Sequence, residues 1–578
     1  MDQNIFDKLY DKVLLNGLPT AALAAFALTR LPWLGYLLCL ATVVYSWERF
    51  RLNGLGQHRM GRAVVIGAVL LEVARPGDGD EGLGLPLAIT GVLLVGLIAH
   101  EQMLTKALMT GRLETANLGV SRRGLEWILD CRWAYLVTSG LTLAFLVCAA
   151  FGWMVWPLAV VAMGVTLMFF VAVIAAWRER RREAHQLDAE VHAQVAAIAP
   201  KFIVHFAAPP GSEYQLLMWL PYLERVGEPY VIVLRESYAL RTIAAATARP
   251  VIVAPSIANV EHMLVPSMQA AYYVNNGMKN THCVRFAHLT HVQLLHGDSD
   301  KAASYNPITA MFDRVYVAGQ AGVDRYHKHG VHLDASQFRI VGRPQVADVA
   351  VVDRPVSGVE KPTVLYAPTW TGNSSDVNYC SLGIGEKIVK RLLARGATVI
   401  LRAHPYTNRK PVSAKQLARL EHLLSADAER TGRAHKWGKA SSVDMSLLDC
   451  INAADAMVTD VSAVASDWLY SEKPFATTDM LAEGEEFAET FPLSRAAYVI
   501  DRKAANLDVM LDKLLDEDPL VETRRQMKTY YLGDFPSDRY VEAFVDEVRR
   551  CANGRDEVPP PPPAPDQPGA TVAKSSTG

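Results

Sequence analysis

A long apolar stretch without a single charged side chain, from Trp133 to Trp177, constrains the fold of this chain more than any other feature. A membrane-spanning helix needs about 20 mostly apolar residues, so the stretch has room for two such helices. The segment from Gly152 to Pro157 provides the turn between them. The sequence therefore predicts a pair of transmembrane helices here.

Four shorter apolar segments precede this pair, and a basic stretch follows every second segment. The four segments read LPTAALAAFALT, LPWLGYLLCLATVVYSW, AVVIGAVLLEVA and LGLPLAITGVLLVGLIA. We interpret residues 1–180 as a membrane region with about six transmembrane helices; for the first and third segments, a buried soluble helix is the alternative. Lys and Arg concentrate in cytoplasmic loops of membrane proteins, and in the predicted topology the basic stretches all lie on one side of the membrane. The N-terminus and everything after Trp177 are therefore expected in the cytoplasm.

Charge and cysteine content exclude several other classes of protein. The formal net charge is −2 and the pI is about 6.8, which does not favour a nucleic-acid partner. The seven cysteines are an odd number and form no C-x-x-C pair. This pattern is typical of a reducing compartment without structural zinc. We expect no cofactor and no metal.

Beyond residue 200, short β-branched runs alternate with helical stretches. KFIVHF, YVIVL, PVIVAP, HVQLLHG and RVYVAG are predicted as strands of one sheet, and TVLYAP, TVILRAHP and AMVTD as strands of a second. Near-continuous apolar strands joined by helices are typical of parallel sheets that are covered on both faces. The sequence predicts an α/β fold with two facing Rossmann-like domains, at 200–345 and 360–552. The Pro-rich tail at 553–578 is expected to be disordered.

Polar side chains follow four of these strands, at the edge where open parallel sheets bind ligands. The first strand end carries His296, Gly297, Asp298, Ser299, Asp300 and Lys301; the second Pro368 and Thr369; the third Arg402 and His404; the fourth Thr459, Asp460, Ser462 and Ala463, with Asp467 further along. Imidazole can accept a hydroxyl proton near neutral pH, whereas arginine and lysine offset phosphate charge. Two histidines on opposing sheets, each beside a cation, favour catalysis.

Several of these positions also permit simpler interpretations. A helix that begins near Ser462 would present unpaired N–H groups to an anion such as a phosphate, but plain N-capping by Ser462 is the alternative. Lys301 is equally consistent with exposed surface. Asp298 and Asp300 resemble metal ligands, but no third carboxylate accompanies them.

Four motifs, taken in order, resemble the CDP-glycerol glycerophosphotransferases of teichoic-acid synthesis. They read LLHGDSDK, LYAPTWTG, LRAHP and DCINAADAMVTDVSAVASDWLYSEKPF, within roughly residues 200 to 550. The resemblance implies a GT-B fold with the donor bound mainly by the C-terminal domain. It also implies transfer of a polyol phosphate from a CDP-linked donor to a hydroxyl of a lipid-linked cell-wall glycopolymer, with release of CMP.

The resemblance assigns roles to the residues at the strand ends. His296 becomes the base and His404 the second catalytic residue. The donor contacts become Gly297, Asp298, Ser299, Asp300, Lys301, Arg343, Pro368, Thr369, Arg402, Thr459, Asp460, Ser462, Ala463 and Asp467.

Three motifs depart from the family pattern. The loop that usually reads His-Gly-Thr-Pro-x-Lys is His-Gly-Asp-Ser-Asp-Lys here, and the second serine of the helix motif is Ala463. The arginine after Gly-x-Pro is Gln345, although Arg343 stands two residues earlier. Two other functions therefore stay open: a GT-B glycosyltransferase that uses a nucleotide sugar, and an inactive membrane scaffold or export component.

Overall fold

The first part of the chain is helical. The computed structural model describes residues 3–29, 31–53, 59–73, 84–109, 113–120, 131–352, 355–372 and 378–554. Its first six helices are α1 Gln3–Leu28, α2 Pro32–Asn53, α3 Arg59–Val73, α4 Gly84–Met109, α5 Cys131–Phe151 and α6 Trp156–Ile198. Apolar side chains from all six meet in one buried cluster.

Two segments of the described chain are long and apolar enough to cross a bilayer, Trp133–Phe151 in α5 and Trp156–Ala175 in α6. The apolar parts of α1 and α4, Val13–Leu28 and Leu85–Ala99, are shorter. The finding concerns length and composition alone, which a buried helix of a soluble protein can also satisfy. The predicted pair is thus consistent with the structure, and a six-span region stays a prediction.

Some sequence predictions lie outside the described residues. Arg30, Arg75 and Arg112, which belong to the loops compared for orientation, are among them. So is the predicted disordered tail from residue 555 onward.

The first sheet has eight strands, and seven of them are parallel. They are β1 Glu114–Ala116, β2 Phe202–Phe206, β3 Tyr230–Leu234, β4 Val251–Val253, β5 Ala270–Tyr273, β6 Thr290–Gln293, β7 Arg314–Val317 and β8 Phe338–Ile340. Their order is β1-β4-β3-β2-β5-β6-β7-β8, and only β1 is antiparallel to its neighbour. The order reverses between β2 and β5, which makes this position the switch point of the sheet. The connecting helices are α7 Tyr214–Leu217, α8 Leu220–Arg225, α9 Leu240–Ala245, α10 Ile257–Met263, α11 Thr281–Val284 and α12 Gln320–Lys328.

The second sheet has five parallel strands. They are β9 Thr363–Ala367, β10 Thr398–Leu401, β11 Ala456–Thr459, β12 Phe475–Asp479 and β13 Tyr498–Asp501, in the order β10-β9-β11-β12-β13. Its switch point lies between β9 and β11. The helices are α13 Gly385–Ala394, α14 Pro411–Thr431, α15 Lys439–Ser442, α16 Leu447–Ala453, α17 Ala463–Trp468, α18 Phe487–Thr490, α19 Leu507–Asp512, α20 Val521–Leu532 and α21 Tyr540–Ala552.

The predicted parallel α/β architecture is confirmed, and burial explains why the strands were recognisable. Every residue of β2 and β3 is buried, as expected for strands covered on both faces. Five strands were not predicted. β5 reads AAYY and has no β-branched residue, whereas β1 and β8 have only three residues each.

Two elements join the first sheet from distant parts of the sequence. Strand β1 lies between α4 and α5 and pairs with β4 at the sheet edge. Helix α21 follows the whole second sheet, yet its Phe544 and Val548 lie in the core of the first. Helix α6 is a single helix of 43 residues that connects the apolar region directly to β2.

Candidate active site

His296 lies just beyond the carboxyl end of β6, where its ring is held in one tautomer. Its Nδ1 lies 3.0 Å from the carbonyl oxygen of Val274, so Nδ1 carries the proton and donates it. The other nitrogen, Nε2, then bears a lone pair. Burial lowers the pKa of His296 to about 4, and the charge of Arg343 acts in the same direction. The ring is therefore neutral at physiological pH and can accept a proton at Nε2.

Gln215 contacts Nε2, the unprotonated ring nitrogen of His296. Its amide nitrogen lies 3.5 Å from His296 Nε2, and its amide oxygen accepts a hydrogen bond of 3.0 Å from Asn275 Nδ2. Because Asn275 fixes which end of the Gln215 amide is the acceptor, the NH₂ group faces the histidine. Gln215 follows β2 and Asn275 follows β5, so both lie at the switch point of the first sheet.

His404 lies at the carboxyl end of β10 and is held in the opposite tautomer. Its Nδ1 accepts a hydrogen bond of 3.0 Å from the backbone N–H of Tyr406, which puts the ring proton on Nε2. The ring stacks on Trp370, with centroids 6.0 Å apart. Burial and, to a smaller extent, the charge of Lys301 together lower the pKa of His404 to about 3. A neutral His404 is a hydrogen-bond donor at Nε2.

An aromatic series connects the two histidines across the space between the sheets. Tyr214 contacts His296 edge to face, at a centroid distance of 6.0 Å, and also contacts Tyr406 at 6.3 Å. Tyr406 in turn lies 5.2 Å from His404, and its hydroxyl forms a hydrogen bond with Ser212 Oγ in the loop after β2. The two catalytic candidates therefore belong to one contiguous group of rings.

Three further contacts bring the carboxyl edges of the two sheets together. Lys301 Nζ donates a hydrogen bond of 3.0 Å to Thr369 Oγ1, so its side chain crosses to the second sheet instead of lying on open surface. Asp467 binds the guanidinium of Arg343 with both carboxylate oxygens, and both side chains are buried. A Cβ atom on Gly297 would lie 3.0 Å from the Ala463 side chain.

Asp460 is a structural residue at the switch point of the second sheet. Its Oδ2 accepts hydrogen bonds from the backbone N–H groups of Thr369, at 2.7 Å, and Ser381, at 3.1 Å, and its Oδ1 accepts one from Thr478. The neighbouring Thr459 donates to the carbonyl of Ala367. These bonds fix the loop after β9, which includes Pro368. Both carboxylate oxygens of Asp460 are therefore engaged within the protein, and its donor contact stays a prediction.

The acidic residues of the histidine loop bind cations and hydroxyls of the protein itself. Asp298 pairs with Arg325, and Asp300 accepts from Arg325 Nε at 3.2 Å and from Tyr531 Oη at 2.9 Å. Ser299 is buried against Ser304. In the described part of the chain, no three His, Cys, Asp or Glu side chains are grouped to hold a metal ion. Asp298 and Asp300, which the family pattern lacks, therefore stabilise the loop that carries His296.

Arg402 and Ser462 make contacts within the second domain, and their donor contacts stay predictions. Arg402 directs Nη1 toward the carbonyls of Ser441 and Met445, the latter at 2.9 Å, so this part of its guanidinium holds a loop of the second domain. Ser462 does not cap α17 with its side chain; its Oγ lies 3.3 Å from Thr459 Oγ1. Helix α17 has only 6 residues, so its dipole is a weak anion attractor.

Sequence reasoning missed Tyr214, Gln215 and Tyr406, although a signal for them was present. The segment APPGSEYQ follows the recognised strand KFIVHF, and PYTNR follows the histidine of LRAHP. The rule that ligands bind beyond strand ends applied to both segments. Only the structure shows which residues these side chains contact, because those residues follow other strands.

Much of the second domain resembles a known protein family. Residues 350–480, which include β9 to β12, match the sequence model of the CDP-glycerol:poly(glycerophosphate) glycerophosphotransferases. No match was found among curated proteins.

Several solved structures are similar to part of this chain. The wall teichoic acid polymerase TagF is 12% identical, with 66% of this chain and 98% of that chain covered and a TM-score of 0.39. The MnaA–UDP complex of S. aureus is also 12% identical, with 62% and 98% covered and a TM-score of 0.41. A glycosyltransferase from Rickettsia africae is 10% identical, with 61% and 98% covered and a TM-score of 0.39.

These TM-scores are too low to support a functional argument, so the assignment depends on the family match and on the four motifs. Residues 350–480 are thus similar to the CDP-glycerol:poly(glycerophosphate) glycerophosphotransferases, and this similarity indicates a transferase.

Proposed function

We propose that the protein is a membrane-anchored GT-B enzyme that transfers glycerol phosphate, or a related polyol phosphate, from a CDP-linked donor to a hydroxyl of a lipid-linked cell-wall glycopolymer. The observation that carries the proposal is the pair of neutral histidines in opposite tautomers. His296 offers a lone pair from the first sheet, and His404 offers an N–H from the second. A phosphoryl transfer needs both a proton acceptor for the nucleophile and donors for the phosphate oxygens.

The reaction follows from these roles. The acceptor oxygen attacks the β-phosphorus of the donor and forms a new P–O bond, while its proton passes to His296 Nε2. The bond from the β-phosphorus to the bridging oxygen breaks, and its electron pair leaves with CMP. Positioning and charge stabilisation supply most of the rate in such transfers.

The donor pyrophosphate is proposed to lie between the loops that join the two sheets. His404 Nε2–H and the Lys301 ammonium would contact its oxygens, since both groups are positioned by the second-sheet loop that holds Thr369. The backbone around Ser462 and Ala463, next to Gly297, closes the other side. The buried ion pair between Arg343 and Asp467 also holds the two sheets at a fixed distance.

Membrane attachment fits a lipid-linked acceptor. In this proposal α5 and α6 anchor the enzyme, and the catalytic domains lie in the cytoplasm. An acceptor confined to the same bilayer then meets the enzyme at a raised effective concentration. The apolar segments of α5 and α6 support this arrangement.

The reaction products test the proposal against its rivals. The full-length protein in lipid nanodiscs is incubated with CDP-glycerol, or with UDP- and GDP-sugars, and an extract of lipid-linked glycopolymer. We expect CMP from CDP-glycerol and labelled glycerol phosphate in the lipid fraction. Release of a nucleoside diphosphate from a nucleotide sugar would identify a glycosyltransferase instead, whereas CDP-glycerol binding without turnover would indicate an inactive scaffold.

The pH dependence of donor binding tests the role of Lys301. Burial lowers the pKa of its ammonium to about 8, so the charge is present below pH 8 and is lost above it. The KM for CDP-glycerol should therefore rise about tenfold between pH 7 and pH 9, in proportion to the lost ammonium. Lys301→Arg, whose guanidinium stays charged over this range, should flatten the rise. An equal rise in both enzymes would exclude Lys301 as its cause.

A further inference from the structure

Two basic residues lie next to each other on the face of the first sheet that packs against α10 and α11. His205 is in β2, and Arg235 directly follows the neighbouring strand β3. Side chains alternate between the two faces of a strand, and Ile203 and Val233, two positions earlier in each strand, belong to the buried cluster on this face. The backbone N–H of Arg235 still bonds to the carbonyl of Phe206, so the strand pairing continues to this residue. His205 and Arg235 are therefore neighbours on one face.

The opposite face of the sheet carries α7, which provides Tyr214 and Gln215 to the candidate active site. Leu216 of the same helix packs in the core cluster of that face. His205 and Arg235 therefore lie on the other side of the sheet from α7, and they form a group separate from the catalytic cleft.

Arg235 is a buried cation without a counter-charge. It is 2% exposed, and its Nη2 donates a hydrogen bond of 2.9 Å to the carbonyl of Pro255. Its Nε and Nη1 are buried without a hydrogen-bond partner among the described residues. The adjacent carboxylate, Glu236, is bound to Lys279 at 2.5 Å, and no described carboxylate forms an ion pair with Arg235. Burial of an unpaired charge is strongly unfavourable, so this guanidinium favours an anion.

His205 offers a lone pair beside the guanidinium. Its Nδ1 lies 3.3 Å from Asn280 Oδ1, and Asn280 Nδ2 donates to the carbonyl of Asn275 at 2.7 Å. Because the second bond fixes which end of the Asn280 amide is the acceptor, Nδ1 of His205 carries the ring proton. Its Nε2 therefore bears a lone pair, which is buried and has no partner in the described part of the chain. Burial and, to a smaller extent, the charge of Arg235 lower the pKa of His205 to about 3, so the ring is neutral.

His282 of α11 completes the group. Its Nδ1 is also buried without a partner in the described structure, although the residue as a whole is partly exposed. Burial and the nearby charge of Arg235 lower the pKa of His282. The partly exposed ion pair between Lys279 and Glu236 joins the segment that carries His282 to the one that carries Arg235. Opening of this surface pair would admit a small ion.

We propose that Arg235, His205 and His282 bind one hydrogen phosphate ion, at a site independent of the reaction in the cleft. An N–H group of Arg235 donates to a phosphate oxygen and balances its charge, because guanidinium and phosphate form strong charge-assisted hydrogen bonds. The P–OH group donates to the lone pair of His205 Nε2. Phosphate keeps at least one P–OH group at neutral pH, whereas sulfate has none, so the lone pair selects phosphate. The bound ion holds α11 against the ends of β2 and β3, and the burial of the site restricts it to the free ion.

Thermal unfolding of the full-length protein in detergent tests the site, with sodium phosphate, sulfate or chloride at pH 7 and equal ionic strength. A ligand that binds only the folded state raises the unfolding temperature. Phosphate should raise this temperature, and sulfate should need at least about a tenfold higher concentration for the same rise, because it cannot donate to His205. Glycerol 3-phosphate should also be weaker than phosphate, because a closed site excludes its glyceryl group. An equal or larger rise with sulfate or with glycerol 3-phosphate would overturn the assignment to free phosphate.

Three variants assign the effect to these residues. Arg235→Met removes the unpaired charge, so without phosphate it should be at least as stable as wild type, and it should lose the rise with phosphate. The matched control Arg241→Met removes an exposed arginine of α9 and should keep the rise. His205→Phe, which retains a ring but not Nε2, should respond equally to phosphate and sulfate. A rise in Arg235→Met as large as in wild type would place the phosphate elsewhere, such as in the catalytic cleft, and overturn the proposal, as would an unchanged preference for phosphate in His205→Phe.

Discussion

Replacing His296 with alanine is expected to slow CMP release from CDP-glycerol by about 10²- to 10⁴-fold, the usual contribution of a general base. The reason is geometric: with Nδ1–H donated to the Val274 carbonyl, Nε2 is the nitrogen left to take the acceptor proton. Donor affinity should persist, because the proposed pyrophosphate contacts come from Lys301 and the second sheet. Single-turnover rates and calorimetric titration with CDP-glycerol measure the two quantities separately.

The matched control is His288→Ala, which removes an exposed histidine just before the same strand. It should leave the rate unchanged. The pH profile adds a second check, because a pKa of about 4 keeps His296 neutral, and so able to accept a proton, down to about pH 5. Protonation of His296 should therefore not lower the wild-type rate between pH 7 and pH 5.5. An alanine variant within a few-fold of wild type would remove His296 from the role of base.

Replacing Asp467 with alanine is expected to lower the free energy of unfolding by about 3–5 kcal/mol, the largest stability effect we predict. Asp467 and Arg343 are both buried and form a two-pronged ion pair between the sheets. Removing the carboxylate leaves a buried guanidinium without its counter-charge, which is far more costly than losing both partners. Chemical denaturation of the full-length protein in detergent measures the loss.

The control is the double variant Arg343→Met, Asp467→Ala, in which no buried charge is left unpaired. It should recover most of the stability lost in Asp467→Ala, and the double-mutant cycle should give a coupling of more than 1 kcal/mol. A single variant as stable as wild type, or a double variant no better than the single one, would show that the pair does not hold the sheets together.

Much of the fold could be predicted because the strands are buried on both faces. Segments such as YVIVL are apolar at every position, and the residues that follow them are polar. The sequence therefore identified both sheets and the strand ends that carry His296 and His404. It could not identify β1, whose three residues gain strand geometry only by pairing with β4.

The side-chain partners could not be predicted, because they depend on how the two sheets face each other. Lys301 was equally consistent with open surface, yet it bonds to Thr369, 68 positions away. Asp467 was predicted to contact the donor, yet it binds Arg343, 124 positions away. The tautomers of His296 and His404 depend on backbone atoms of Val274 and Tyr406, and strand-end patterns do not encode them. The proposed site roles of these residues stay predictions until the variants are measured.

The position of α21 affects the order in which the two lobes fold during synthesis on the ribosome. The first sheet is synthesised early, but Phe544 and Val548, which fill its core, lie near the end of the described residues and are synthesised long after it. Until then the nascent first lobe exposes an apolar face, whereas the cluster of the second lobe around Val364, Val399 and Leu420 contains no residue of α21. The later-made lobe should thus mature first, and a stop codon shortly before α21 should yield a chain that chaperones retain and proteases clear.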